Sequence, residues 1–236
     1  MPVSGLQKFS LIDYPGKLCC IVFFGHCNFR CPYCHNPALV FDPESQGRMT
    51  PVELARFLES RKGKLDGVVF SGGEPTLDPD LPVCMKTAKD LGFSVKLDTN
   101  GTSPDVIRLL HEQNTLDSLG IDFKAPFGDY PRITSIQDPH SAEKVKESMR
   151  YALSQGIELE IRTTVHKKLL SPEMLKKMYA ELRELGIEKW VLQQFHKAEL
   201  IDEELNSTET YSDSELTALA GSLGPGVSVR GCRHAR

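Results

Sequence analysis

The 236-residue chain lacks any apolar run that could cross a bilayer. Its longest, Leu18 to Phe24, falls far short of the roughly 20 residues that a spanning helix needs, and MPVSGLQKFSLIDYPGK at the N-terminus has no apolar h-region of a secretory signal. No membrane association is expected. A basic block is also missing: 28 Lys and Arg are scattered among 32 Asp and Glu, for a formal net charge of −4, which leaves no electrostatic footprint for DNA or RNA. There is no internal repeat, low-complexity tract or linker. Seven cysteines without a secretory signal, two of them the neighbours Cys19 and Cys20 on opposite faces of a strand, argue against a disulfide framework. These absences point to a cytoplasmic protein of one domain, with its cysteines in metal or redox chemistry.

What the chain does have is a regular alternation. Short β-branched runs (Lys17–Phe24, Asp66–Ser71, Phe93–Asp98, Ser118–Lys124, Ile157–Val165 and Glu188–Gln194) alternate with amphipathic stretches at Pro51–Ser60, Pro79–Leu91, Pro104–Glu112, Ser141–Ser154 and Pro172–Leu185. Thr50 with Glu53 makes a capping-box pattern, and Ser103-Pro104 marks another helix start. Strands separated by helices pair in parallel through right-handed crossovers. The expected fold is α/β, a partial, six-stranded, open parallel β/α barrel. One domain is expected over residues 1–236, with 197–236 as an irregular C-terminal extension packed on the barrel edge. Polar residues cluster just past the strand ends, at Cys27, Gly72-Gly73-Glu74, Asp98 to Asn100, Asp122 to Lys124 and His196, where parallel α/β folds place their sites.

GHCNFRCPYCHNP, residues 25–37, packs Cys27, Cys31 and Cys34 into a C-x3-C-x2-C loop with no fourth cysteine at a comparable spacing. Three thiolates can hold one face of an iron-sulfur cubane and leave the fourth iron open to an external ligand. Structural zinc is the competing reading, with Cys31-x2-Cys34 as a knuckle and Cys27 plus His26 or His35 completing a tetrahedron, although zinc knuckles usually come in pairs.

Cys27-x3-Cys31-x-Tyr33-Cys34, with its aromatic before the third cysteine, followed by Ser71-Gly-Gly-Glu-Pro75, resembles the radical S-adenosylmethionine enzymes. Asp13-Tyr-Pro-Gly16, Cys34-His-Asn-Pro37, Leu97-Asp-Thr-Asn-Gly101, Asp122-Phe-Lys124, Ile161-Arg162 and Phe195-His196 narrow the resemblance to activating enzymes of glycyl-radical proteins. Among these the chain is most similar to the activating protein of anaerobic ribonucleoside-triphosphate reductase, in a form close to pyruvate formate-lyase activases. The resemblance runs from about Leu6 to His196.

It implies a 4Fe-4S cluster on Cys27, Cys31 and Cys34, with S-adenosylmethionine chelating the open iron and cleaved reductively to a 5′-deoxyadenosyl radical. No catalytic side chain beyond cluster and cofactor is expected. The implied cofactor contacts are Tyr33, His35, Gly72, Gly73, Glu74, Asp98, Asn100, Asp122, Lys124, Arg162 and His196, with a monovalent cation at Asp98, Thr99 and Asp122. On the residues alone, the glycine pair is also an ordinary turn, Asn100-Gly101 an Asx turn, Lys124 and Arg162 strand-edge charges, and His196 a structural histidine. The implied partners are a large glycyl-radical enzyme, anaerobic ribonucleotide reductase being the expected one, and a flavodoxin- or ferredoxin-type electron donor. His26 receives no role, and Cys19, Cys20, Cys84 and Cys232 are read as small apolar residues or idle thiols. Competing functions are a pyruvate formate-lyase-type activase or a radical enzyme acting on a small molecule and, from other classes, a zinc-stabilised binding module or an iron-sulfur electron carrier.

Overall fold

A computed structural model of the chain describes residues 3–232; residues 1–2 and 233–236, the ends of the span read as one domain, lie outside the described residues. Eight strands form one sheet in sequential order: β1 (Gly5–Ser10), β2 (Cys19–Phe24), β3 (Gly67–Gly72), β4 (Ser94–Thr99), β5 (Ser118–Asp122), β6 (Glu158–Val165), β7 (Trp190–Gln194) and β8 (Val227–Arg230). The helices are α1 (Pro37–Phe41), α2 (Pro51–Glu59), α3 (Leu81–Asp90), α4 (Pro104–Glu112), α5 (Tyr130–Thr134), α6 (Ser141–Ser154), α7 (Pro172–Glu184) and α8 (Asp213–Leu223). The six strands read from the sequence are β2 to β7, all parallel. Among the described residues, no helix is long and apolar enough to cross a membrane.

The sheet extends beyond those six strands. β1 adds antiparallel to β2 at one edge, and β8 adds parallel to β7 at the other. The stretch after His196, expected to be irregular, therefore supplies a helix and an edge strand. Its pattern was masked because Leu216, Ala220 and Leu223, the buried residues of α8, sit in a background of Ser, Thr and Glu. β8 is only four residues long, and α1 and α5 only five each, too short for periodicity to register.

Side-chain alternation divides the sheet into two faces. Val22, Phe24, Val68, Phe70, Val95, Leu97, Leu119, Ile121 and Ile161 join Leu54, Leu58, Met85, Ile107, Val145, Met149 and Met178 from the helices in one core. The opposite, concave face begins with a small apolar plug of Tyr14, Cys19, Ile21 and Val69. Polar residues stand above that plug. Helix starts are fixed locally: Thr50 Oγ1 accepts from Glu53 N at 3.2 Å and Glu53 Oε2 from Thr50 N at 2.8 Å, and Ser212 and Glu215 repeat this capping box at α8.

Trp190 is the largest wholly buried side chain; its Nε1 donates to Thr163 Oγ1 at 2.9 Å, and that hydroxyl donates to Phe123 O at 2.6 Å, stitching β7 to β6 and to the loop after β5. Trp190→Ala leaves a cavity and an unfilled acceptor, and is expected to cost about 3–5 kcal/mol in chemical denaturation. A loss below about 1 kcal/mol would show that this end of the sheet is not part of the cooperative core.

Candidate functional site

The parallel register brings the C-terminal strand ends together, and a cleft opens there. Cys27, Cys31, Tyr33, Cys34 and His35 line it from the loop after β2, and Gly72 and Gly73 from the end of β3. Asp98, Thr99, Asn100, Asp122, Lys124 and Arg162 complete the expected lining, and Phe29, Asn36, Val40, Ser71 and Thr164 join them. Glu74 and His196 do not line it.

The cysteine loop is held mainly by backbone. His26, at its start, has φ +60° and lies in the left-handed region that favours glycine. That turn lets its N–H donate to Leu39 O at 2.8 Å, while its carbonyl accepts from Glu74 N at 2.7 Å. Gly73 explains the closeness: a Cβ there would lie 1.9 Å from His26 O, so no other residue fits. Further along, Arg30 N donates to Thr134 O at 2.7 Å, and Asp202 N to Pro32 O at 2.9 Å. Phe29 packs edge-on against Tyr130, with ring centroids 6.3 Å apart. His35 Nε2 lies 3.1 Å from the carbonyl of His196, so that residue meets the site through its backbone; its imidazole instead faces the space beside Gly231.

Glu74 is wholly buried and fully committed. Its carboxylate accepts from Thr76 N at 3.1 Å, Thr76 Oγ1 at 2.5 Å, Thr99 Oγ1 at 2.6 Å and Asn100 N at 2.7 Å. Burial pushes this carboxyl above the usual range against the pull of those donors. Its position ties the loop after β3 to the end of β4. Asn100 is committed similarly: its Nδ2 donates to Asn28 Oδ1 at 2.7 Å and its Oδ1 accepts from Thr102 N at 3.0 Å and Thr102 Oγ1 at 2.7 Å. Asn28, which the sequence reading passed over, is thus the side-chain strut between the cysteine loop and β4.

Register also assembles the charges. Asp98 faces Gly120 across β4 and β5, and Asp122 faces Arg162 across β5 and β6. Arg162 Nε donates to Asp122 Oδ1 at 2.5 Å and its Nη1 to Asp98 Oδ2 at 2.9 Å. Lys124 Nζ donates to Asp122 Oδ2 at 3.0 Å. Lys96, another residue missed from the sequence, donates to Asp98 Oδ1 at 2.7 Å. Period-two alternation would have found it, since Lys96 shares the face of Asp98 on β4. Burial alone would raise the Asp122 carboxyl, but Arg162 and Lys124 hold it well below the carboxylate range. Burial pushes the Cys27 thiol up to about 11 and that of Cys31 up to about 12, Lys124 opposing the rise in both. The Tyr33 hydroxyl is buried without a hydrogen-bond partner, beneath the ammonium of Lys124, 5.7 Å from its ring centroid.

Residues 21–182 match the radical SAM superfamily model. The chain belongs to the radical SAM superfamily. Radical SAM proteins are enzymes that use a 4Fe-4S cluster and S-adenosylmethionine. Along 92% of its length the chain is 32% identical to a Methanocaldococcus jannaschii protein, MJ1227, whose name proposes it as a glycyl-radical enzyme activating enzyme; the match covers 89% of that protein. It is 35% identical to the pyruvate formate-lyase-activating enzyme of Clostridium pasteurianum over 104 residues, 42% of this chain and 43% of that one. Streptococcus suis SuiB bound to S-adenosylmethionine shares the fold with a TM-score of 0.70 at 14% identity, covering 90% of this chain and 52% of SuiB. The chain thus spans about half the length of SuiB.

The donor set fits the cluster. Cys27, Cys31 and Cys34 line one cleft from a single loop, and three thiolates can hold three irons of a cubane while the fourth stays open to a ligand.

Glu74→Ala is expected to strand four donors and cost about 2–4 kcal/mol in denaturant unfolding of the cluster-free protein. If the variant were as stable as the parent but failed to bind S-adenosylmethionine, Glu74 would be a cofactor ligand and not a structural tie.

Proposed function

We propose that this radical SAM enzyme activates a glycyl-radical enzyme by removing a hydrogen atom from a backbone glycine of that partner, and that the partner is an anaerobic ribonucleoside-triphosphate reductase. The observation that carries the reading is the near full-length likeness to a protein named for glycyl-radical enzyme activation, combined with three cysteines, a glycine pair and two free-handed cations on one cleft. The motifs Asp13-Tyr-Pro-Gly16 and Cys34-His-Asn-Pro37 support the activase class, and the overall resemblance to reductase-activating proteins favours the reductase as partner. Residues 1–236 act as one radical SAM domain with 197–236 as its extension, working in the cytoplasm with a flavodoxin- or ferredoxin-type protein as one-electron donor.

In this reading, Cys27, Cys31 and Cys34 hold the cluster. Bound there, the cluster and S-adenosylmethionine would supply a one-electron reductive cleavage of the S–C5′ bond that yields methionine and, with one hydrogen atom taken from the glycine Cα, 5′-deoxyadenosine. Arg162 commits Nε and Nη1 to Asp122 and Asp98, leaving Nη2 for the cofactor carboxylate, and Lys124 has two further N–H donors beyond its bond to Asp122. Gly72 and Gly73 offer close backbone approach to the methionine end. Tyr33 and His35 would contact the cofactor from the cysteine loop, and the buried Tyr33 hydroxyl is available as a donor. Asp98 and Asp122 orient the two cations.

Each of Cys27→Ala, Cys31→Ala and Cys34→Ala is expected to abolish 5′-deoxyadenosine formation with dithionite, whereas Cys84→Ala, which alters a buried thiol in α3, leaves it intact. Retention of the parental rate by Cys31→Ala would sink the cluster assignment.

The partner is tested by mixing reduced enzyme, S-adenosylmethionine and anaerobic ribonucleotide reductase without oxygen. A doublet glycyl signal in electron paramagnetic resonance is expected, absent when the partner's glycine is alanine. A signal with pyruvate formate-lyase alone would change the partner. A small metabolite consumed in step with 5′-deoxyadenosine, with no glycyl signal, would replace the activase reading.

A further inference from the structure

Asp98, Asp122 and Thr99 are the oxygen donors that the sequence offers to a monovalent cation beside the cofactor carboxylate. In the structure, all of them are engaged. Asp98 Oδ1 accepts from Lys96 Nζ at 2.7 Å and Oδ2 from Arg162 Nη1 at 2.9 Å. Asp122 Oδ1 accepts from Arg162 Nε at 2.5 Å and Oδ2 from Lys124 Nζ at 3.0 Å. The Thr99 hydroxyl donates to Glu74 Oε1 at 2.6 Å and accepts from Gly101 N at 3.1 Å. A metal ion would have to take its oxygens from three protein cations and then sit among them.

Lys96 stands out in this set because it is 0% exposed and its ammonium is shared between Asp98 Oδ1 and the carbonyl of Asp13, 2.9 Å away. A buried ammonium persists only when oxygens surround it, and these two come from different parts of the chain. Space has been left for the pair. A Cβ on Gly120 would lie 2.4 Å from Asp98 Oδ1 and 3.4 Å from Lys96 Nζ, so glycine on β5 is what admits the ion pair.

We propose that the Lys96 ammonium is the resident cation of this site, so that the enzyme holds the carboxylate of its cofactor without any inorganic monovalent cation. Within this row, Lys96, Lys124 and Arg162 face Asp98 and Asp122, which leaves one positive charge of the protein's own to meet a ligand carboxylate; a metal ion would add a second beside it. Lys96 is a positioning residue, acting on the ligand through Asp98 and Arg162. The inference rests on the assignment of the cleft to S-adenosylmethionine only where ligand binding is measured.

The test compares potassium, sodium and choline chlorides at equal ionic strength. A cation that binds the native state stabilises it, by roughly 5–10 °C in melting temperature at about a hundredfold excess over its dissociation constant. Cluster-free and cluster-loaded enzyme are both expected to melt within about 1 °C in the three salts. Loaded enzyme should bind S-adenosylmethionine equally in all of them. Lys96→Met empties the seat between Asp98 and Asp13; it should weaken binding about tenfold in choline and regain part of that loss in potassium or sodium, at unchanged iron content. A melting temperature or affinity of the parent enzyme raised selectively by potassium or sodium overturns the proposal, as does Lys96→Met binding like the parent in choline. Should Lys96→Met fail to fold, the salt series on the parent still decides. Loss of S-adenosylmethionine binding in every salt would remove the assignment of the cleft instead, while the melting series would still report on Lys96.

Discussion

The mouth of the barrel depends on one close contact, the approach of the loop after β3 to the backbone of the cysteine loop. His26 turns left-handed, its carbonyl meets Glu74 N, and Gly73 lies where any side chain would collide with that carbonyl. Glu74 then reaches past the contact to Thr99 and Asn100 on the next strand. Three successive strand ends are locked together by backbone groups and one buried carboxylate, so the cysteine side chains are not what joins them. A left-handed non-glycine residue costs on the order of 1 kcal/mol, and the surrounding hydrogen bonds offset it.

The second layer is electrostatic. Parallel pairing in sequential order puts residues of neighbouring strands side by side, so Asp122 and Arg162 are adjacent because β5 and β6 are. Each carboxylate takes two cations and Arg162 takes two carboxylates, giving an alternating row that crosses the concave face. A fixed row of this kind presents donors without reorganising on ligand arrival, which is where preorganised sites gain over water.

Much of this could be read from the sequence. The alternation of runs yielded all six central strands and the principal helices between them, because parallel strands are continuous in hydrophobicity and the helices strongly amphipathic. The cysteine triplet and glycine pair were legible because their spacing is itself the chemistry. Partner choice within the site was not. Glu74 was read as a carboxylate or backbone contact of the cofactor, and a carboxylate beside two glycines at a strand end gives no sign that Thr76, Thr99 and Asn100 supply it with four donors. Asn100, read as a cofactor contact or an Asx turn, lines the cleft and spends its amide on Asn28 and Thr102, and Lys96 and Gly120 were missed because their roles exist only across strands. His196 followed an apolar strand as expected, but the turn after β7 sends its ring toward Gly231. β1, α8 and β8 escaped because short or Ser-rich segments owe their form to the sheet edges they cover.

Among the described residues, the sheet runs from β1 to β8 without joining its ends. Topologically the fold is a trough with a lengthwise slit and not a tube. A tube admits what can be lowered through its rim, so a polypeptide would have to enter as a free end or a narrow hairpin. A slit imposes no such demand: a segment anchored at both ends in a large body can be laid in sideways and withdrawn the same way, with no bond cut and no strand pair of the trough broken.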